Sequence, residues 1–279
     1  WLGQTVAKDD LTKHDKWLCM MTPRLKLLQD LLTDDGVIFV SADDHEQHHL
    51  RNLMDEVFGT DNFVTNIIWQ KKYTQSNDAK YFSDTHDFIV VYAKKLESFT
   101  IHPLVRTEEQ NARYENPDKD PRGLWATGPL HAKSGVDSGY SYKFKNGVVW
   151  QPPVGTYPRY SKATLEKAEF EKRIWFGQKG DAVPRMKKYL SEMKDGVTPK
   201  TLWLYGEVGS NDDAKRTLKE LFNDNPFESP KPVSLIERMI HLSCDKDSII
   251  LDSFAGSGTT AHAVLDLNKE DGGKRKFIL

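Results

Sequence analysis

The spacing of apolar residues predicts alternating helices and strands in the first third of the chain. Residues 15–33 carry an apolar stripe at helical spacing, and a second such stripe ends at Gly59. Residues 37–40 are all apolar, which is typical of a strand covered on both faces of a parallel sheet. Residues 63–69 and 88–93 are predicted as two further strands. These elements together indicate an α/β fold.

The pattern changes in the middle of the chain and then returns. Residues 71–87 have no periodicity, so a long and functional loop is predicted there. Residues 100–225 are rich in Pro, Gly, Trp, Tyr, Lys and Arg and contain only short strand-like pieces, so we interpret them as an inserted module. In residues 226–279 a helix, a strand, a glycine-rich turn, a second helix and the start of a strand follow in order. Three segments result, which are residues 1–99, 100–225 and 226–279.

Charge and cysteine content add little to this division. The net charge is −2, but Lys and Arg outnumber Asp and Glu by 21 to 17 in residues 101–225. This surplus permits a DNA-facing middle segment without establishing one. Cys19 and Cys244 fall in apolar helical patterns and are expected to be buried, reduced thiols, too few for a cysteine-based zinc site. With no long apolar run and no signal peptide, we expect a cytoplasmic protein without a membrane partner.

The most informative segment is the glycine-rich turn that follows the strand at residues 249–251. It reads Asp252-Ser253-Phe254-Ala255-Gly256-Ser257-Gly258-Thr259-Thr260 and leads directly into a helix. Glycines allow the backbone to approach a ligand closely, and a helix N-terminus offers unpaired N–H groups at the positive end of its dipole. Such a turn is suited to a phosphate or to the polar parts of a nucleoside cofactor.

Several interpretations of this turn compete. A nucleotide-hydrolase phosphate loop requires Lys after the second glycine, where this chain has Thr259. A dinucleotide-binding turn requires a third glycine, which is absent at its spacing. A third alternative is an ordinary strand-to-helix turn without a ligand. The full string resembles motif I of the amino-methyltransferases, Asp-x-Phe-x-Gly-x-Gly-Thr-Thr, and matches it at every specified position.

The resemblance extends along the whole chain. Lys231 and Pro232 begin a segment that resembles motif X of the same family, the helix that closes over the methionine end of the cofactor. Residues 35–46 and 86–94 resemble its motif VI and motif VIII strands. The position of motif I after the variable module resembles the β class of DNA amino-methyltransferases. Arg106–Gln110, Asp118–Gly123 and Arg173–Gly177 resemble the modification (Mod) subunits of type III restriction-modification systems.

This resemblance implies a fold, a cofactor and partners. The expected fold is a Rossmann-like S-adenosylmethionine-dependent methyltransferase, with residues 100–225 as an inserted α+β target recognition domain. Residues 1–99 would be the catalytic half and residues 226–279 the cofactor-binding half. The implied activity is methyl transfer from S-adenosylmethionine to the exocyclic amine of adenine in double-stranded DNA. A homodimer, a restriction subunit as partner and a bacterial source are also implied.

One departure from the family concerns catalysis. The family's Asp-Pro-Pro-Tyr motif is not found in the chain, and Gln151-Pro152-Pro153-Val154 lacks both its first and its last residue. Because the chain begins at Trp1 rather than Met, we expect a fragment whose catalytic motif lies upstream. We therefore assign no catalytic residue and expect this chain alone to bind cofactor and DNA without turnover. The alternatives are a non-catalytic DNA-recognition subunit and a nucleic-acid ATPase, of which the missing loop Lys disfavours the second.

Basic residues in two regions are the candidates for DNA contacts, because Lys and Arg bind phosphates and base edges. These candidates are Lys71, Lys72, Arg106, Arg113, Arg122, Lys133, Arg159 and Arg185. The run Asp43-Asp44-His45-Glu46 has the composition of a metal site, but acidic residues also suit the first turn of a helix. We expect it to cap the following helix and expect no metal.

Overall fold

The structure is a computed structural model that describes residues 12–135, 139–193, 196–224 and 226–279. The chain divides into two compact units. Among the described residues, the core unit comprises those in 12–104 and 198–279, and the inserted unit comprises those in 105–197. Within the described residues, none of the helices combines the length and the apolar character that a membrane span requires.

The described residues of the core unit form six α-helices, and the first strand lies between the first two of them. They are α1 (Lys13–Leu31), α2 (Gln47–Phe58), α5 (Tyr205–Val208), α6 (Asn211–Phe222) and α7 (Val233–Ser243), followed by α8 (Thr259–Asp271) behind the glycine-rich turn. Its strands are β1 (Val37–Ala42), β2 (Phe63–Gln70), β3 (His86–Ala93), β11 (Leu202–Trp203), β12 (Ile249–Leu251) and β13 (Lys276–Ile278). The elements predicted at both ends of the chain are confirmed.

Strand β3 is the centre of the main sheet, whose order is β1-β3-β2-β11. It pairs antiparallel with β1 and β2, while β11 is parallel to β2. Residues 37–40 were expected in a covered parallel strand, and that expectation is wrong. Strand β1 is at the edge of the sheet, where β3 is its one described partner, and residues 37–40 are therefore half-buried rather than covered on both sides.

Helices cover both faces of this sheet. Ile89 and Val91 of β3 pack on one face with Leu235 of α7 and with the fully buried Trp69 and Trp203. The alternate residues of the same strand, Val90 and Tyr92, pack on the other face against α1 and α2. Because neighbouring residues of a strand point to opposite faces, β3 contributes to two cores at once. Strands β12 and β13 form a separate parallel pair.

The described part of the inserted unit consists of short antiparallel strands and two α-helices. Its strands are β4 (Trp125–Pro129), β5 (His131–Ala132), β6 (Tyr142–Lys143), β7 (Val149–Trp150), β8 (Tyr157–Pro158), β9 (Ile174–Trp175) and β10 (Arg185–Tyr189). Its helices are α3 (Glu108–Ala112) and α4 (Lys162–Phe170). The largest sheet has the order β4-β10-β9. A small core of its own includes Leu130, Phe144, Trp150 and Leu165.

Two details differ from the sequence-based expectation. The second boundary of the inserted unit falls after residue 197 rather than at residue 225, because β11 pairs with β2 and returns the chain to the main sheet. Cys19 is exposed on α1 rather than buried, since that helix turns Met21 and Leu25 toward the core. Cys244 is partly buried, and burial raises the pKa of its thiol.

Candidate cofactor site

The glycine-rich turn connects the end of β12 to the start of α8, and Asp252 holds these two ends together. One carboxylate oxygen of Asp252 accepts a hydrogen bond from the Thr260 hydroxyl at 2.6 Å. The other accepts from the backbone N–H of Phe254 at 3.2 Å. Thr260 is buried, so its bond to Asp252 is shielded from water. The first and last residues of the predicted motif therefore fix the shape of the loop.

Both glycines of the loop adopt backbone conformations that disfavour other residues. Gly256 has φ of 55° and Gly258 has φ of 74°. A Cβ at Gly256 would lie 3.3 Å from the ring of Phe227, whereas one at Gly258 would meet no described atom within 4 Å. Gly258 is the N-cap of α8, and no described side chain caps that helix. The first N–H groups of α8 are therefore available to a ligand at the positive end of the helix dipole.

The hydroxyl groups of the loop connect it to the predicted motif X segment. Ser257 and Thr259 are hydrogen-bonded through their hydroxyls at 2.9 Å, and Thr259 also donates to the carbonyl of Lys231 at 3.1 Å. Pro232 is buried and is the N-cap of α7. Ser253 and Phe254 are exposed, and Ala255 is half-buried. All the predicted cofactor residues therefore lie on two adjoining segments.

The ammonium group of Lys231 is bound by residues outside this loop. It donates to Asp87 at 2.9 Å and lies 4.4 Å from the centre of the Trp69 ring. Lys71 donates to the other oxygen of Asp87 and to Asp84, both at 2.7 Å. Two residues predicted for different roles, Lys71 and Lys231, thus share one aspartate.

The charges around Lys71 alter its acid–base behaviour. Burial by itself lowers the pKa of Lys71, but the hydrogen bonds that its ammonium donates to Asp84 and Asp87 outweigh burial and raise the pKa above the usual value. For Asp84, burial acts to raise the pKa, and the hydrogen bond from Lys71 outweighs it and lowers the pKa. Lys71 is therefore held as a buried cation between two carboxylates, a position that fits a structural role.

A cleft beside the loop is lined in part by α6, a helix within the residues that were predicted to belong to the inserted module. Ser257, Gly258 and Thr259 form one wall, and residues of α6 that include Leu221 and Phe222 form another. Both of these apolar side chains are more than half exposed, at 57% and 60%. Ser210 and Asp213 form a reciprocal capping box at the first turn of α6, in which each side chain accepts a hydrogen bond from the backbone of the other. This Ser-x-x-Asp spacing is the sequence signal from which the helix could have been predicted.

The basic residues predicted to contact DNA fall into two groups. Arg122 is held by Asp120 at 2.8 and 2.9 Å and by the carbonyl of Glu171 at 2.9 Å. Arg106 donates to Asn111 at 2.9 Å and lies over the ring of Tyr114. Five others have exposed side chains, which are Lys72 in the core unit and Arg113, Lys133, Arg159 and Arg185 in the inserted unit.

The acidic run before α2 does not cap that helix as expected. Asp43 accepts from the N–H of His45 at 3.1 Å, which forms a local turn. Glu46 occupies the N-cap position, but its side chain makes no capping bond and instead contacts His14 of α1 at 2.8 Å. The prediction of a cap is wrong because a partner on another helix competes for the carboxylate.

A glycine-rich turn between a parallel strand and an uncapped helix, packed beside a covered α/β sheet, is the arrangement of a nucleoside-cofactor-binding protein. Comparison with known sequences shows which family of this class the chain belongs to. The model of the family described as DNA methylase matches residues 4–278, so the chain belongs to that family.

Three relatives illustrate the family. The chain is 40% identical over 270 residues to the type III restriction-modification enzyme StyLTI Mod subunit of Salmonella typhimurium, covering 95% of this chain and 40% of that protein. It is 30% identical over 309 residues to the EcoP15I Mod subunit of Escherichia coli, covering 96% and 46%. It is 31% identical over 301 residues to the type II methyltransferase M.KpnI of Klebsiella pneumoniae, covering 99% and 69%. The chain thus spans less than half the length of these Mod subunits.

Proposed function

We propose that the chain carries the S-adenosylmethionine-binding site and the DNA-recognition module of a DNA adenine-N6 methyltransferase that acts as the modification subunit of a type III system. The observation that carries this proposal is the Asp252–Thr260 loop, with two positive-φ glycines and an uncapped helix behind it. Membership of the DNA methylase family and the names of the relatives support it.

The residues present fit S-adenosylmethionine better than a nucleoside triphosphate. The N–H groups at the start of α8 and the hydroxyls of Ser257 and Thr259 are suited to the polar parts of the cofactor. The Lys that would neutralise a triphosphate is replaced by Thr259, and the ammonium of Lys231 is already paired with Asp87. When bound, S-adenosylmethionine supplies an activated methyl group.

The chain's own residues would hold this cofactor rather than react with it. Asp252 fixes the loop through Thr260 and Phe254, and Thr259 fixes it to the carbonyl of Lys231. The target adenine has to leave the base stack before its amine can reach a bound cofactor. The inserted unit would select the DNA site, and the exposed residues Arg113, Lys133, Arg159 and Arg185 are its candidate contacts to DNA.

Binding of S-adenosylmethionine to two glycine variants tests the proposal. Gly258 and Gly272 cap opposite ends of α8, both have positive φ (74° and 69°), and a Cβ at either would meet no described atom within 4 Å. Replacing either by Ala therefore imposes a similar backbone strain of about 1–2 kcal/mol. Calorimetry is expected to show lost or strongly weakened binding for Gly258→Ala and nearly normal binding for Gly272→Ala. Equal affinities for the two variants would contradict the proposed site.

The proposal also covers the assembly of the protein with a second copy and with a partner subunit. We propose a homodimer and a restriction subunit as partner, in keeping with the relatives described as Mod subunits. Light scattering on the purified full-length protein measures the first property. A mass of twice the protomer mass is expected, and a single-protomer mass at micromolar concentration would contradict it.

A further inference from the structure

A cluster of histidines and one glutamate lies between α1 and α2, on the other side of the sheet from α7. It consists of His14, Glu46 and His49, whose potential ligand atoms all lie within 4.8 Å of one another. The His14 and His49 rings are 4.8 Å apart between centroids. All three residues are partly buried. The set combines two imidazoles with one carboxylate, which are the donor types of zinc sites with an open coordination position.

The local geometry follows from the sequence of α2. Glu46 and His49 are separated by three positions at the start of this helix, so their side chains share one face. A Glu-x-x-His pair of this spacing presents both ligands to a single metal in helical metalloproteins. The third ligand, His14, comes from the first turn of α1, and its Nδ1 is 2.8 Å from one oxygen of Glu46.

A second observation points to a ligand at this position. The other carboxylate oxygen of Glu46 is buried and has no hydrogen-bond partner among the described residues. A buried polar atom without a partner destabilises the fold, because its lost hydration is not replaced. A cation bound between Glu46 and the two imidazoles would satisfy that oxygen.

We propose that His14, Glu46 and His49 form a binding site for one divalent transition-metal ion, of which zinc is the best match. Two imidazole ligands select such an ion over Mg²⁺ or Ca²⁺, which prefer oxygen ligands alone. Ligands of tetrahedral zinc lie about 3.3 Å apart at the usual Zn–N distances. The present spread of up to 4.8 Å therefore closes by small side-chain rotations when the ion binds. The ion would join the start of α1 to the start of α2.

Zinc titration of the purified protein tests this proposal. The protein, carrying Cys19→Ser to remove an exposed thiol, is stripped with a chelator and titrated with Zn²⁺ against a chromophoric competitor. One ion per chain is expected. Glu46→Gln and His49→Ala are expected to weaken Zn²⁺ binding by at least about tenfold. Replacing a residue that only orients a metal ligand already weakens metal binding by about tenfold, so the loss of a ligand should cost at least as much. His45→Ala is the matched control, because the side chain of His45 is 79% exposed and pairs with Asp43.

A second measurement separates a specific site from a folding defect. Zn²⁺ is expected to raise the unfolding temperature of the Cys19→Ser protein and of the His45→Ala control. It is expected to leave the unfolding temperature of Glu46→Gln and His49→Ala unchanged, because an ion stabilises the native state only when it binds to that state. Circular dichroism verifies that each variant is folded. Substoichiometric binding, or equal affinity in His45→Ala and His49→Ala, would overturn the proposal.

Discussion

Lys231 donates a hydrogen bond of 2.9 Å to Asp87, a residue 144 positions earlier in the chain. The same carboxylate accepts from Lys71 at 2.7 Å. Because the carbonyl of Lys231 also accepts from Thr259, a continuous set of bonds runs from the glycine-rich turn to the start of strand β3. Asp87 thereby connects the proposed cofactor site to the main sheet.

Loss of the Asp87 charge is expected to destabilise the core unit. The side chains of Lys71 and Asp87 are only 11% and 13% exposed, so Asp87→Asn leaves a buried ammonium without one of its carboxylates. Breaking a buried ion pair from one side costs about 3–5 kcal/mol. Urea unfolding followed by circular dichroism measures the change. Asp78→Asn, at an exposed position in the same loop, is the control, and an equally small effect of both changes would contradict this role.

The hydroxyl of Thr260 is expected to control the shape of the cofactor loop. Thr260→Val removes the 2.6 Å bond to Asp252 and leaves a carboxylate oxygen without its partner. The loss is expected to cost about 1–3 kcal/mol and to weaken S-adenosylmethionine binding. Thr260→Ser keeps the hydroxyl and is expected to retain most of the affinity. If calorimetry gave the same affinity for the Val and Ser variants, the bond would have no part in binding.

The inserted unit is expected to lose stability in acid through Asp120. The hydrogen bond from Arg122, together with bonds from Tyr189 and Lys187, holds the pKa of Asp120 far below its usual value. A depressed pKa stabilises the fold above the unfolded-state value of about 3.9, and this contribution declines as the pH falls toward the folded-state pKa. Between pH 6 and pH 3, the unfolding temperature of the wild type should therefore fall more steeply than that of Asp120→Asn. Parallel curves would show that Asp120 does not set the acid response.

Exposed and engaged arginines of the inserted unit are expected to respond differently to substitution. Arg185 is exposed, so Arg185→Gln should weaken DNA binding and reduce the slope of log affinity against log salt by about one. Arg122 is bound to Asp120 and to the carbonyl of Glu171, so Arg122→Gln should mainly lower the unfolding temperature. Fluorescence anisotropy with labelled duplex DNA at several salt concentrations measures the slope. An unchanged slope for Arg185→Gln would remove that residue from the interface.

The local features of the molecule were predictable from the sequence, and the long-range ones were not. The string Asp252–Thr260 identified the turn and its glycines, because strand, turn and helix follow one another directly. The partners of Lys71 and Lys231 were not predictable, since Asp87 reaches Lys71 through the pairing of β2 with β3 and reaches Lys231 through the packing of α7 on the sheet. Residues 37–40 were wrongly predicted as a covered parallel strand for the same reason, because apolar content alone does not distinguish the edge strand β1 from the inner strand β3.

The roles of charged residues were the least predictable feature. Arg122 and Arg185 carry the same charge in the sequence, yet one is bound internally and the other is exposed. Helix α6 was missed because residues 198–222 share the Pro- and Gly-containing composition of the inserted unit, while their sheet partner β2 lies far upstream. Whether a surface cation contacts DNA depends on such partners, which appear only after folding.

Calorimetric titration of the purified chain with S-adenosylmethionine, and separately with ATP and Mg²⁺, tests the central claim most directly. The account predicts one S-adenosylmethionine site per chain and no heat of ATP binding, because the loop lacks the Lys that a phosphate loop requires. Binding of ATP, with none of S-adenosylmethionine, would contradict the assignment of the Asp252–Thr260 loop.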